Sequence, residues 1–228
     1  MIKRVNYLYI CLLMFSNLFS QEVFFEKDQT GLNLGYLYSS AGKSLDKTDE
    51  AISNSIVGSY VFKGSFFFYG RVSDFSEEVN FHWKETINGF GYGIGVGVII
   101  NNKNDPLPSP FSLLISLSYS STKYKSKYES NINTGGASVS ISIFKNIKLT
   151  KNLNLIPEIF GGYGIGSFKS KNESAVDNIL EYGLGINIGY LKEKNFGPSI
   201  SVAIAGSEEI AIFSLGLSVS FKNLHSSP

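Results

Sequence analysis

The chain has 228 residues, enough for one or two ordinary domains with a substantial core, and a formal net charge of +1. Charged residues make up only 17% and aromatic residues 14%, fewer charges and more rings than soluble domains usually carry. The near-neutral balance excludes the basic excess of a nucleic-acid binder, and there is no acidic tail.

The N-terminus reads as a targeting segment. Lys3 and Arg4 form a short basic region, an apolar run from about Val5 to Phe19 follows, and Ser20 ends it at a small-residue cleavage point. The run is shorter than the roughly 20 apolar residues of a spanning helix and is broken by Asn6, Ser16 and Asn17. Residues 1–20 are therefore expected to be a cleavable export signal, and residues 21–228 one domain. Cys11, the single cysteine, falls inside the signal with Ile10 before it, where a lipoprotein signal wants a small residue. The mature chain is thus expected to have neither a disulfide nor a thiol-based metal site.

From Gly31 onward the sequence alternates with period two. Leu32, Leu34, Tyr36 and Tyr38 oppose Asn33, Gly35 and Leu37; Ile56, Tyr60 and Phe62 oppose Ser53, Ser55 and Ser59; Phe66, Phe68 and Val72 oppose Tyr69 and Arg71. In GFGYGIGVGVII, residues 89–100, Gly89, Gly91, Gly93, Gly95 and Gly97 alternate with large apolar residues. Five glycines would oppose a helix by about 4–5 kcal/mol, and period two is the strand spacing. The pattern continues through Phe111–Tyr119, Val139–Ile143, Leu153–Ile165, Tyr182–Tyr190, Ile200–Ile204 and Phe213–Phe221. That predicts about ten strands, eight being possible, most near the 9–11 residues that cross a bilayer at a tilt. Long connections at residues 40–50, 74–87, 121–136 and 169–178 alternate with shorter ones at Lys63–Gly64, 101–110, 146–152 and 192–195, as in an up-and-down meander.

The less apolar face is mostly Ser and Gly, with charge concentrated in the connections, whereas a water-facing sheet carries more charge. If the sheet closes within a membrane the pattern inverts, so that aliphatic and aromatic residues meet lipid and small polar residues fill the middle. Tyr36, Tyr38, Tyr60, Phe62, Phe66, Tyr119, Tyr190 and Phe221 lie on the apolar parity towards strand ends, where aromatic girdles are expected. A soluble periplasmic barrel with a ligand inside is the structural rival.

The signal, the two-faced strands, the alternating connections and a last strand ending on Phe221 together resemble small bacterial outer-membrane β-barrels of the OmpA/OmpX/OmpW-like type. The resemblance covers the mature chain and implies an all-β, antiparallel, up-and-down transmembrane barrel in the outer membrane of a Gram-negative cell. It implies a monomer in contact with outer-membrane lipid and lipopolysaccharide, inserted by machinery that reads the terminal aromatic.

A barrel this narrow can be filled by its own side chains. The inner glycines then give room to long side chains from facing strands, or else hollow out a small cavity. Arg71, the only arginine outside the signal, points inward, as do Glu158 and Glu181. A buried arginine needs such partners, so these three are candidates for a lumen ion-pair set, with Arg71 and Glu158 at similar heights. His82 and His225, the only histidines, offer no convincing acid–base pair, and no phosphate-loop spacing occurs. No catalytic, cofactor or metal site is therefore expected. Lys123, Lys125 and Lys127 share one side of a possible strand extension that could meet an anionic surface. The expected role is non-enzymatic, structural or surface-interacting, with a narrow porin-like pore as a variant. An accessory barrel of a secretion or envelope-assembly machine and a rim-sited hydrolase are the alternatives.

Overall fold

The computed structural model describes residues 25, 29–43, 50–80, 84–100, 111–125, 132–170, 174–190, 196–207 and 210–222. Residues 1–20, expected to be an export signal, and His82, Lys127 and His225 lie outside them.

Strands β1 (Gly31–Lys43), β2 (Glu50–Phe62), β3 (Phe66–Asn80), β4 (Lys84–Ile100), β5 (Ser112–Lys125) and β6 (Ile132–Phe144) pair antiparallel in chain order. So do β8 (Leu153–Lys169), β9 (Ser174–Tyr190), β10 (Phe196–Gly206) and β11 (Ile210–Lys222). β1 pairs β11 and β6 pairs β8, which closes the ring; β7 (Ile147–Lys148) is a two-residue rung within the β6–β8 connection. Among the described residues the wall is therefore ten long strands, all antiparallel. Closure leaves no sheet edge along the membrane-crossing part of the wall, which is what hydrocarbon requires of a spanning sheet.

The β2–β3 hairpin shows how local chemistry sets the register. The three-residue link Lys63–Gly64–Ser65 has positive φ at Lys63 and Gly64, 50° and 61°, the pair of left-handed residues that a type I′ turn requires. Ser65 N–H donates to the Phe62 carbonyl at 3.1 Å, and Lys63 N–H donates to Thr30 Oγ1 at 3.0 Å.

The register also sets the tilt. Following it from Phe62 through Phe66, Val98, Ile115, Ile141, Gly161, Tyr182, Gly206, Ala211 and Gly42 brings the path back to β2 at Glu50 rather than at Phe62. A ring of this size with that shear tilts its strands by about 40°, so each residue climbs about 2.5 Å along the barrel axis. The short turns and the β1 and β11 ends share the lower rim, and the other connections share the upper one.

Two sequence expectations are corrected. Residues 74–87 and 169–178 are mostly strand: β3 and β4 stay paired up to Asn80 and Lys84, and β8 and β9 up to Lys169 and Ser174. These hairpins run well past the length that lipid requires.

Candidate functional site

The outer wall has two aromatic belts. At the lower rim, Tyr60, Phe62, Phe66, Tyr190 and Phe221 face outward, joined by Phe111. Lys63 Nζ lies 5.4 Å from the Phe62 ring centre and Lys145 Nζ 5.8 Å from that of Phe111, as amphipathic side chains settle at a membrane surface. Tyr38 and Tyr119 lie roughly 20 Å higher, with Tyr36 slightly below them, donating from its hydroxyl to Asn54 Oδ1 at 2.5 Å. The register brings four more rings to that upper level: Tyr92, Tyr163, Tyr182 and Phe213. The upper belt is therefore mid-strand rather than at strand ends. Between the belts the wall is aliphatic and open to its surroundings, with Ile56, Ile94, Leu117, Ile141, Ile159, Leu184 and Leu217 all more than half-exposed or close to it.

Above the upper belt the outward face changes character. Asp74, Asn88, Lys123, Lys125, Asn133, Ser167, Lys169 and Asn178 are exposed there. Apart from Phe90, Ile165, Leu180 and Val176, which stay exposed above it, the apolar band ends near the height of the upper aromatic belt, as a membrane boundary does.

The lumen is filled in layers. A lower cluster of Phe25, Val61, Phe67, Tyr69, Ile99, Leu114, Phe144 and Ile156 closes the end near the short turns. An upper cluster, including Phe75, Ile87, Tyr124, Ile132, Phe168, Ile179, Ile210 and Ile212, closes the other end. Between them the lining is small and polar. Serine pairs share hydrogen bonds across neighbouring strands: Ser116 with Ser140 at 2.6 Å, Ser118 with Ser138 at 2.6 Å, Ser55 with Ser73 at 2.7 Å and Ser39 with Ser214 at 2.9 Å. Each such pair satisfies two hydroxyls that burial would otherwise leave costly.

The inner glycines of β4 are seats for long neighbours. A Cβ on Gly97 would lie 2.2 Å from Phe67 Cζ, one on Gly95 2.2 Å from the Tyr69 hydroxyl, and one on Gly89 2.5 Å from the Tyr124 ring. At Gly93 the nearest atom is Arg71 Nε, at 3.4 Å. Of the two uses open to these glycines, packing is the one realised.

Arg71, Glu158 and Glu181 all face inward and are buried, 6%, 2% and 5% exposed. Arg71 is on β3 and Glu181 on β9, directly across the ring, where each carboxylate or guanidinium feels the other's charge. Tyr69 and Tyr124 also lie within electrostatic reach of Arg71. The expectation that Arg71 and Glu158 share a height is corrected. The β6–β8 connection protrudes below the rim through the β7 rung, so Glu158, paired to Phe144 at the end of β6, sits roughly 8 Å lower than Arg71.

No known family profile matches the sequence, and no curated protein does. Among solved structures the chain is similar to the translocator domain of the autotransporter NalP from Neisseria meningitidis, at 8% identity, covering 96% of this chain and 97% of that one with a TM-score of 0.55. It is also similar to the transport unit of the autotransporter AIDA-I from Escherichia coli, at 11% identity, 93% and 96% coverage and a TM-score of 0.53. The β domain of the Bordetella autotransporter BrkA matches at 10% identity, 85% and 99% coverage and a TM-score of 0.51. The chain has the fold of an outer-membrane β-barrel. At these identities the likeness is one of fold.

Elsewhere on the barrel, Lys123 and Lys125 do face outward together, opposite inward-facing Tyr124, and the register adds Lys169 through Asn133 between them. Among the described residues no three His, Cys, Asp or Glu side chains gather where they could hold a metal ion. The residues that sequence reasoning missed are the four further belt rings and the upper apolar cluster. The signal was present in the inward parity of Phe75, Ile87, Phe168 and Ile179, which continues through segments whose charges read as loop.

Proposed function

We propose that the mature chain resides in the bacterial outer membrane as a closed, non-enzymatic barrel that holds a rigid collar above the lipid for contacts outside the cell. The reading is supported chiefly by the two apolar layers that close the lumen above and below its serine-lined middle. A path for polar solutes would have to displace Phe67 and Phe144 at one end and Phe75 and Phe168 at the other. Lys123, Lys125 and Lys169, above the upper belt, suit the anionic headgroups of lipopolysaccharide. Phe221 on the last strand suits recognition by insertion machinery, and the barrel is taken to work as a monomer.

Within the lumen, Arg71 is proposed to balance Glu181 across the barrel, with Glu158 below. Replacing Arg71 by Met would leave a buried carboxylate uncompensated and is expected to cost about 3–5 kcal/mol. Urea unfolding in lipid vesicles measures it, and an unchanged midpoint would remove the charge set from the account.

A transport role, of the kind named for the autotransporter domains, is the second reading, favoured by their TM-scores. Planar-bilayer recording separates the two. The closed barrel gives no conductance steps, and steady channels would establish a pore. Fractionation with the outer membrane and heat-modifiable migration test the location. Loss of lipid or peptide hydrolysis in His82→Ala would instead establish a rim-sited enzyme.

A further inference from the structure

The collar is not level. β10 ends at Gly206, which pairs with Tyr182, whereas β9 continues upward to Ser174. From Glu181 up to Ser174, β9 pairs only with β8. Ile210, whose carbonyl accepts from Ser207 N–H at 3.0 Å, lies roughly 10 Å below Ser174. Among the described residues the collar therefore has a notch over β10 and β11. One wall of the notch is a strand edge whose backbone groups, among the described residues, have no ladder partner on that side.

An open edge of this length is normally blunted by lysine, proline or a bulge. The segment Ser174–Glu181, SAVDNILE, carries neither lysine nor proline, and its pairing to β8 is unbroken. Its outward residues Val176 and Leu180 are 68% and 61% exposed.

We propose that this edge of β9 binds an extended segment of a partner polypeptide by strand addition. Only a peptide backbone presents donors and acceptors at the spacing of an unpaired ladder. The added strand would continue the line of β10, antiparallel to β9. It would set apolar residues beside Val176 and Leu180 and a basic residue beside Asp177, on the opposite face. A second copy of the barrel is a poor occupant. Inserted in the same membrane with the same polarity, its β9 would meet this one at roughly twice the strand tilt, about 80°, too steep for a ladder.

The inference deepens the surface-contact reading and rests on it. The test uses the mature barrel in lipid nanodiscs and, as probe, a capped octapeptide alternating valine and lysine. Hydrogen exchange at β9 is followed with and without the peptide. The expected result is at least tenfold slower exchange at alternate amides within Ser174–Glu181. That protection should vanish with a peptide N-methylated at alternate residues and fall at least tenfold in affinity for the Val176→Lys/Leu180→Lys variant. Three outcomes would overturn the proposal: no binding, binding without β9 protection, or β9 amides on this edge already protected before peptide is added. Heat-modifiable migration of the same sample tells the failures apart. If it is retained, only strand addition falls; if it is absent, the barrel reading falls with it.

Discussion

Between its two aromatic belts the wall carries Ile94, Leu117, Ile141 and Leu184 outside and Ser116, Ser140, Ser55 and Gly183 inside. Above the upper belt the same strands carry Asp74, Asn88, Lys123 and Asn178 outside and Phe75, Ile87, Phe168 and Ile179 inside. The fold does not change across that line. What changes is the solvent on the outer face, and the inner face answers by taking up whatever the outside cannot bury. In lipid the outer apolar surface costs nothing, so the interior can be small and polar, held by serine pairs and glycine seats. In water the collar needs a core of its own, as any soluble barrel does.

This contrast can be broken at several points, all readable by urea unfolding in lipid vesicles. The largest effect is expected for Phe168→Ala, which empties the collar core and should cost about 3–5 kcal/mol. Next, Leu117→Arg places a charge on the lipid face between the belts and should cost about 2–4 kcal/mol. Its counterpart in the collar, Val176→Arg, should stay within about 0.5 kcal/mol. Equal costs at Leu117 and Val176 would remove the boundary. Gly97→Val tests the seats: its Cβ would meet Phe67 at 2.2 Å and the Ile115 carbonyl oxygen at 2.6 Å, for an expected loss of about 1–3 kcal/mol. Smallest is Ser116→Ala, which leaves the Ser140 hydroxyl without its partner and should cost about 1 kcal/mol.

The parts of this molecule that can be read from sequence are those set by neighbours along the chain. Parity is one: every second residue of Leu113–Tyr119 or Tyr182–Tyr190 declares its face, and the faces follow. The Lys63–Gly64 turn is another, because positive φ at both positions is a local demand. Heights are different. Whether Arg71 lies level with Glu158 depends on how far the β6–β8 connection hangs below the rim, and on a shear that exists only once β1 meets β11. The collar was hidden for a related reason. In SDFSEEVN charge falls on both faces, outward at Asp74 and inward at buried Glu77, so the alternation fades and the segment looks like a loop, although Phe75 and Ile87 keep the inward parity. Tyr92, Tyr163, Tyr182 and Phe213 escaped notice because a belt in mid-strand is recognised only after the register has levelled the strands against one another.

The placement of hydrocarbon against the wall can be measured directly, because Cys11 is the chain's only cysteine and lies in the segment expected to be removed on export. Single cysteines introduced at Ile94, Ile141 and Leu217, at Asn178 and Ser76, and at inward-facing Ser120 are labelled in the unfolded chain with an environment-sensitive fluorophore. The barrel is then refolded into vesicles containing brominated lipid. Strong quenching at the first three and little at the others is the expected pattern. Quenching that ignores the upper belt, or water accessibility at Ile94 equal to that at Asn178, would contradict a barrel that is inside-out in lipid and right-side-out above it.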